Sequence, residues 1–64
     1  MPIIHVSMVE GRTEAQLRSL IAELTDAAVR AIDASPDSVR VILNEVSATH
    51  FAAGNVTMEE RKQL

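Results

Sequence analysis

The chain has no cysteine, no tryptophan and no tyrosine, and its single aromatic residue is Phe51. Without cysteine there is no disulfide to staple a small fold and no thiolate to act as a nucleophile. One aromatic ring leaves nothing on which to stack bases, and a net charge of −3 leaves no basic stripe. Both absences count against nucleic acid as a partner. No apolar run approaches the roughly 20 residues of a membrane span. The N-terminus lacks the charged and apolar regions of a signal peptide. His5 and His50 stand far apart and outside any metal-ligand motif. The expectation is a soluble, cytoplasmic chain with no membrane partner.

What is present is apolar substance in a very short chain: 64 residues, 47% of them hydrophobic. That length allows one domain, residues 1–64. Chains of this size bury little surface on their own and usually need a disulfide, a metal or oligomerisation. The economical resolution is a core that monomers share across subunit interfaces.

Residues 3–9 are rich in β-branched side chains and read as a strand, mostly buried, with Ile4, Val6 and Met8 on one face. Glu10-Gly11-Arg12 breaks it. Thr13-Glu14-Ala15-Gln16 has the form of a capping box. Leu17, Leu20, Ile21, Leu24, Ala28, Ala31 and Ile32 then mark one helix face. Ser35-Pro36 is expected to stop the helix, because proline disfavours helical angles in the residue before it. Val39–Val46 reads as a second strand, with Val39, Val41 and Leu43 on one face and Arg40, Ile42, Asn44 and Val46 on the other. Beyond Ser47 the signal weakens to a turn at Gly54-Asn55, a very short strand at Val56-Thr57 and a polar end from Met58 to Leu64 that frays or forms one helical turn.

Strand, long crossover, strand is a βαβ unit with parallel strands and right-handed connection. Two parallel strands alone are not viable, because such sheets need both faces covered. At least a dimer is implied.

Few residues carry chemistry. Pro2 is tolerated at the start of a strand, where its missing N–H does little harm. It is also a residue behind which the initiator Met1 is usually trimmed, leaving a free secondary amine. An α-amine titrates at roughly 8, and a prolyl amine is somewhat more basic. Apolar walls and nearby cations lower that value, which suits a neutral general base. Arg40, a charge inside an apolar strand, either pairs with a carboxylate such as Asp37 or Glu45 or holds an anionic substrate through its planar fork. Arg12 opens a helix and is either a solvated loop residue or a second anion contact. Phe51 is either core or the wall of a small pocket.

Together, Met-Pro-Ile at the N-terminus, Glu10-Gly11-Arg12 before a capped helix, Ser38-Val39-Arg40-Val41-Ile42, and His50-Phe51 resemble the 4-oxalocrotonate tautomerase family, the short-chain branch of the tautomerase superfamily. The register runs without gaps from Pro2 to Phe51. The resemblance implies an α/β fold: a β-α-β monomer with parallel strands and a short C-terminal hairpin, its sheet completed by dimerisation. It implies a homohexamer, a trimer of dimers, with a heterohexamer as the variant, and sites built from neighbouring subunits. It implies Pro2 as general base, and Arg40 on the carboxylate and keto end of an unsaturated 2-oxo acid. Arg12 would take the distal carboxylate, Phe51 and Val46 would line the pocket, and the Val9 backbone would contact substrate. The implied substrate resembles 2-hydroxymuconate, from aromatic hydrocarbon catabolism. No cofactor and no metal are expected. The chain departs from the family at Ala52-Ala53, where glycine is usual, and at Val46, where methionine is common.

Two alternatives stay open. One is a relative that hydrates or dehalogenates a small unsaturated acid, with Pro2 as an acid and Glu45 activating water. The other is a non-catalytic subunit of a mixed hexamer.

Overall fold

The computed structural model describes residues 1–62. The two strands pair in parallel, β1 (Ile3–Val9) with β2 (Arg40–Val46), in the register Ile3 to Arg40 through Val9 to Val46. The helix α1 (Glu14–Ile32) connects them. A short antiparallel hairpin follows, β3 (Ala52–Ala53) with β4 (Val56–Thr57), and then one helical turn, α2 (Met58–Lys62). Single 3-10 turns at Pro36–Ser38 and Ala48–His50 lead into and out of β2. The β-α-β order and the C-terminal hairpin agree with the sequence reading.

Local chemistry explains the boundaries. The Thr13 hydroxyl accepts from the Gln16 amide at 3.1 Å, and the Gln16 side chain accepts from the Thr13 amide at 2.9 Å. Two of the helix's orphan donors are thereby satisfied. The helix ends earlier than expected. Asp33, in the left-handed region at φ 56°, terminates it, ahead of Ser35-Pro36. A short polar residue tolerates that conformation, and Ser35 is then extended, as the position before proline requires. Ala31 and Ile32, placed on the apolar stripe by periodicity, are exposed in the last turn, whereas Leu17, Leu20, Ile21, Leu24 and Ala28 are half-buried. The second strand begins at Arg40 rather than Val39.

The expectation of a mostly buried first strand is corrected: its residues alternate between exposed and half-buried, because only one face of the sheet carries a helix. Ile3 and Ile42 stand 56% and 48% exposed on the bare face. Among the described residues only the hydrophobic Val39 and Ala48 are buried. The accessible surface is 4809 Å², against roughly 4,000 Å² for a compact chain of this mass. The excess is of the order of the ~800 Å² that one partner contributes to a standard interface. No helix among the described residues is long and apolar enough to cross a membrane.

Candidate active site

Parallel pairing places the N-terminal ends of β1 and β2 side by side, and two of the candidate residues meet there. The Pro2 carbonyl accepts the Arg40 amide at 2.9 Å. Arg40 opposes Ile3 in the ladder, one residue from Pro2. Its side chain is exposed, and Nη1 donates to the Asp37 carbonyl at 2.6 Å. Pro2 is half-buried, and Met1 ahead of it is 79% exposed. With Met1 attached, the Pro2 nitrogen is an amide and has no basic lone pair. The chemistry of an amine requires that Met1 be removed.

A second group gathers at the other end of the strands. Val9 and Val46 are the last ladder pair, both half-buried. The Glu10 amide donates to the Val46 carbonyl at 2.8 Å. Gly11, at φ 131°, turns the chain out of the strand into a conformation that a side chain would strain. That turn brings Arg12 back so that Nη1 donates to the Val9 carbonyl at 2.8 Å. Each arginine is thus tied to the carbonyl three residues before it.

The two groups do not meet within one chain. Strand rise puts Arg12 about 20 Å from Pro2, far beyond the span of a small dicarboxylate. Phe51 follows the 3-10 turn that leaves β2. It is half-buried at the base of the hairpin, and its carbonyl accepts the Met58 amide at 2.8 Å.

An open groove runs along the helix side of β2, lined by Glu14, Leu17, Arg18, Ile21, Leu43 and Glu45. Its apolar floor and charged rim include neither Pro2 nor Arg40. Glu45 therefore faces the helix side, away from Arg40. Among the described residues no three His, Asp or Glu side chains gather as metal ligands would.

A short turn at Asp37-Ser38 is legible in the sequence, but its grip on Arg40 is not: Ser35, Asp37 and Ser38 form the turn that holds the guanidinium. Sequence reasoning also missed a device near the C-terminal end. Thr57 and Glu60 form a second capping box: the Glu60 carboxylate accepts the Thr57 amide at 2.8 Å, and the Thr57 hydroxyl accepts the Glu60 amide at 3.1 Å. Hydrogen bonding to the carboxylate, from the Thr57 amide first and the Thr57 hydroxyl second, holds the Glu60 pKa below its ordinary value. The Thr-x-x-Glu spacing was there to be seen, but only five helical residues follow it, too few for periodicity to register.

Comparison with known proteins follows the same outline. The family model described as tautomerase enzyme matches residues 2–61. A probable tautomerase of Ralstonia nicotianae is 43% identical over 63 residues, covering 98% of this chain and 90% of the relative. A solved structure of 4-oxalocrotonate tautomerase isozymes from Methylibium petroleiphilum superposes with a TM-score of 0.93 at 40% identity, covering 97% of each chain. A heterohexameric 4-oxalocrotonate tautomerase from Chloroflexus aurantiacus superposes at 0.89 with 37% identity, covering 94% of this chain and 97% of its own.

Proposed function

Since this chain belongs to the tautomerase enzyme family, we propose that it is an isomerase that interconverts enol and keto forms of an unsaturated 2-oxo acid such as 2-hydroxymuconate. The observation that carries the reading is the junction of Pro2 and Arg40 at one end of the strand pair, joined through the Pro2 carbonyl and the Arg40 amide. Residues 1–64 act as one tautomerase domain in the cytoplasm, and the substrate arises in aromatic hydrocarbon catabolism.

In this reading Met1 is removed. The neutral Pro2 amine takes the proton from the substrate, which becomes a dienolate. The same amine, now protonated, returns the proton to a carbon further along the conjugated chain. Arg40 pairs with the 2-oxo carboxylate and stabilises the negative oxygen as it develops. The guanidinium also keeps the amine neutral by disfavouring a second positive charge beside it. Arg12 takes the distal carboxylate, Val46 and Phe51 form the apolar wall, and the Val9 backbone contacts substrate.

Because Arg12 and Pro2 lie at opposite ends of one strand pair, the complete site needs residues from more than one chain. A homohexamer built as a trimer of dimers meets that need, and the Chloroflexus aurantiacus relative is a heterohexamer. The surface excess of the lone chain supports assembly as well. Hydration or dehalogenation through Glu45 draws no support, since Glu45 lines the helix-side groove.

The test is ultraviolet-monitored ketonisation of 2-hydroxymuconate by protein whose mass shows that Met1 is gone. Turnover at ordinary enzymatic rates supports the reading. An assembled, Met1-free protein with no turnover on this or any monocarboxylic unsaturated 2-oxo acid overturns it.

A further inference from the structure

We propose that Ser38 is a positioning residue that holds the Arg40 guanidinium in place before substrate arrives. The inference rests on the reading of Arg40 as the carboxylate ligand.

Arg40 is exposed, and a free arginine side chain samples many rotamers. Fixing such a side chain on binding weakens affinity. Here it is fixed in advance. The Ser35 carbonyl accepts both the Ser38 amide at 2.9 Å and the Ser38 hydroxyl at 2.8 Å. The Val39 amide closes on the Pro36 carbonyl at 3.3 Å. Pro36 presets one backbone angle of the turn, and the buried Val39 anchors its far end. The turn so locked aims the Asp37 carbonyl at Nη1 of Arg40, 2.6 Å away. Meanwhile the Arg40 main chain is bound to Pro2. Both ends of the residue are therefore held, one by the strand ladder and one by the turn.

The clamp leaves the guanidinium competent. Of its five N–H donors, one is used by a neutral carbonyl. The rest can still grip a carboxylate in the two-pronged manner. Asp37 contributes its main-chain oxygen, so its carboxylate leaves the cation unneutralised by direct contact. The Ser38 hydroxyl is the one side-chain bond that ties the turn shut, which makes it the replaceable part.

The experiment combines kinetics with a readout that needs no substrate. In Ser38→Ala, KM for an unsaturated 2-oxo acid is expected to rise roughly two- to tenfold, the cost of ordering one long side chain on binding. The kcat falls as well, because Arg40 also stabilises the developing dienolate oxygen, while size-exclusion chromatography shows assembly unchanged. Ser38→Thr, which keeps the hydroxyl, restores KM. Added to Arg40→Gln, Ser38→Ala produces no further rise, because the two act through one contact. In the substrate-free protein, the nitrogen-15 order parameter of the Arg40 side chain falls in Ser38→Ala and recovers in Ser38→Thr.

An unchanged order parameter overturns the clamp. So does an unchanged KM in Ser38→Ala where Arg40→Gln raises it. A rise in KM that tracks lost melting temperature, and that threonine does not rescue, reduces Ser38 to a structural role and also overturns it. If Arg40→Gln itself leaves KM alone, the carboxylate reading of Arg40 has failed, and the order parameter alone then decides whether Ser38 holds the side chain.

Discussion

At the residue scale, two arginines share one device. Arg12 and Arg40 each donate to a carbonyl three residues earlier, on Val9 and Asp37, so both guanidinium groups are held without being neutralised. Their proposed tasks differ, and so do their expected variants. Arg12→Ala should raise KM for a dicarboxylic substrate at least tenfold and leave a monocarboxylic one nearly unchanged, since only the former has a distal carboxylate to lose. Steady-state kinetics on a matched pair of substrates checks it. In the proposed mechanism Pro2 acts through an amine that exists only once Met1 is gone. An N-terminal extension that keeps the nitrogen in an amide should lower kcat on the order of 10²- to 10⁴-fold, the usual worth of general base catalysis. Size-exclusion chromatography should meanwhile show assembly intact. An extended protein that retains full turnover would remove Pro2 from the mechanism.

At the element scale, short elements are held by their ends. The capping box of α1 is worth about 1 kcal/mol, so Thr13→Ala should lower stability by that amount in chemical denaturation. The turn α2 is too short to persist by helix propensity. It is fastened by the Thr57–Glu60 box and by Arg61, whose Nη2 donates to the Ala53 carbonyl at 3.0 Å. The Glu60 pKa lies below its ordinary value of 4.5 in the folded state. A depressed folded value means the contribution is fully present above the unfolded pKa and disappears as pH falls through the folded one. The protection factor of the Thr57 amide, its exchange rate compared with the intrinsic rate at the same pH, should therefore fall on acidification below about pH 4.5. Glu60→Gln, which keeps an acceptor but cannot titrate, should flatten that dependence.

At the scale of the whole molecule, the lone chain has a fold but scarcely a core. One face of the sheet carries α1, and the other leaves Ile3 and Ile42 open to water. A bare sheet face with exposed isoleucines, beside an accessible surface larger than a compact chain needs, is the signature of a subunit. Substituting Ile42→Asp should put a charge on that face and shift the assembly to smaller species in sedimentation velocity. Because Arg12 and Pro2 cannot meet within a chain, turnover should be lost along with assembly. A dissociated variant that kept its activity would contradict the shared site.

The amino-acid order by itself determined the β-α-β sequence of elements, the Thr13 capping box and the parallel pairing, and it singled out Pro2, Arg12, Arg40 and Phe51 as candidates. The elements depend on local chemistry: alternation along a strand, a hydroxyl at a helix start, a crossover too long for a hairpin. Only the tertiary structure decided where those residues fall. Strand register set Arg40 against Ile3 and put Pro2 beside it, while the same register carried Arg12 with Val9 and Val46 to the far end. The early end of α1 at Asp33 turned on one left-handed residue that periodicity cannot detect. The clamp on Arg40 turned on hydrogen bonds among Ser35, Asp37 and Ser38, whose side chains and carbonyls look like an ordinary turn until the strands are paired. Local patterns act over a few residues and are written in the chain; distances between ends, and which carbonyl an arginine meets, exist only once the backbone is folded.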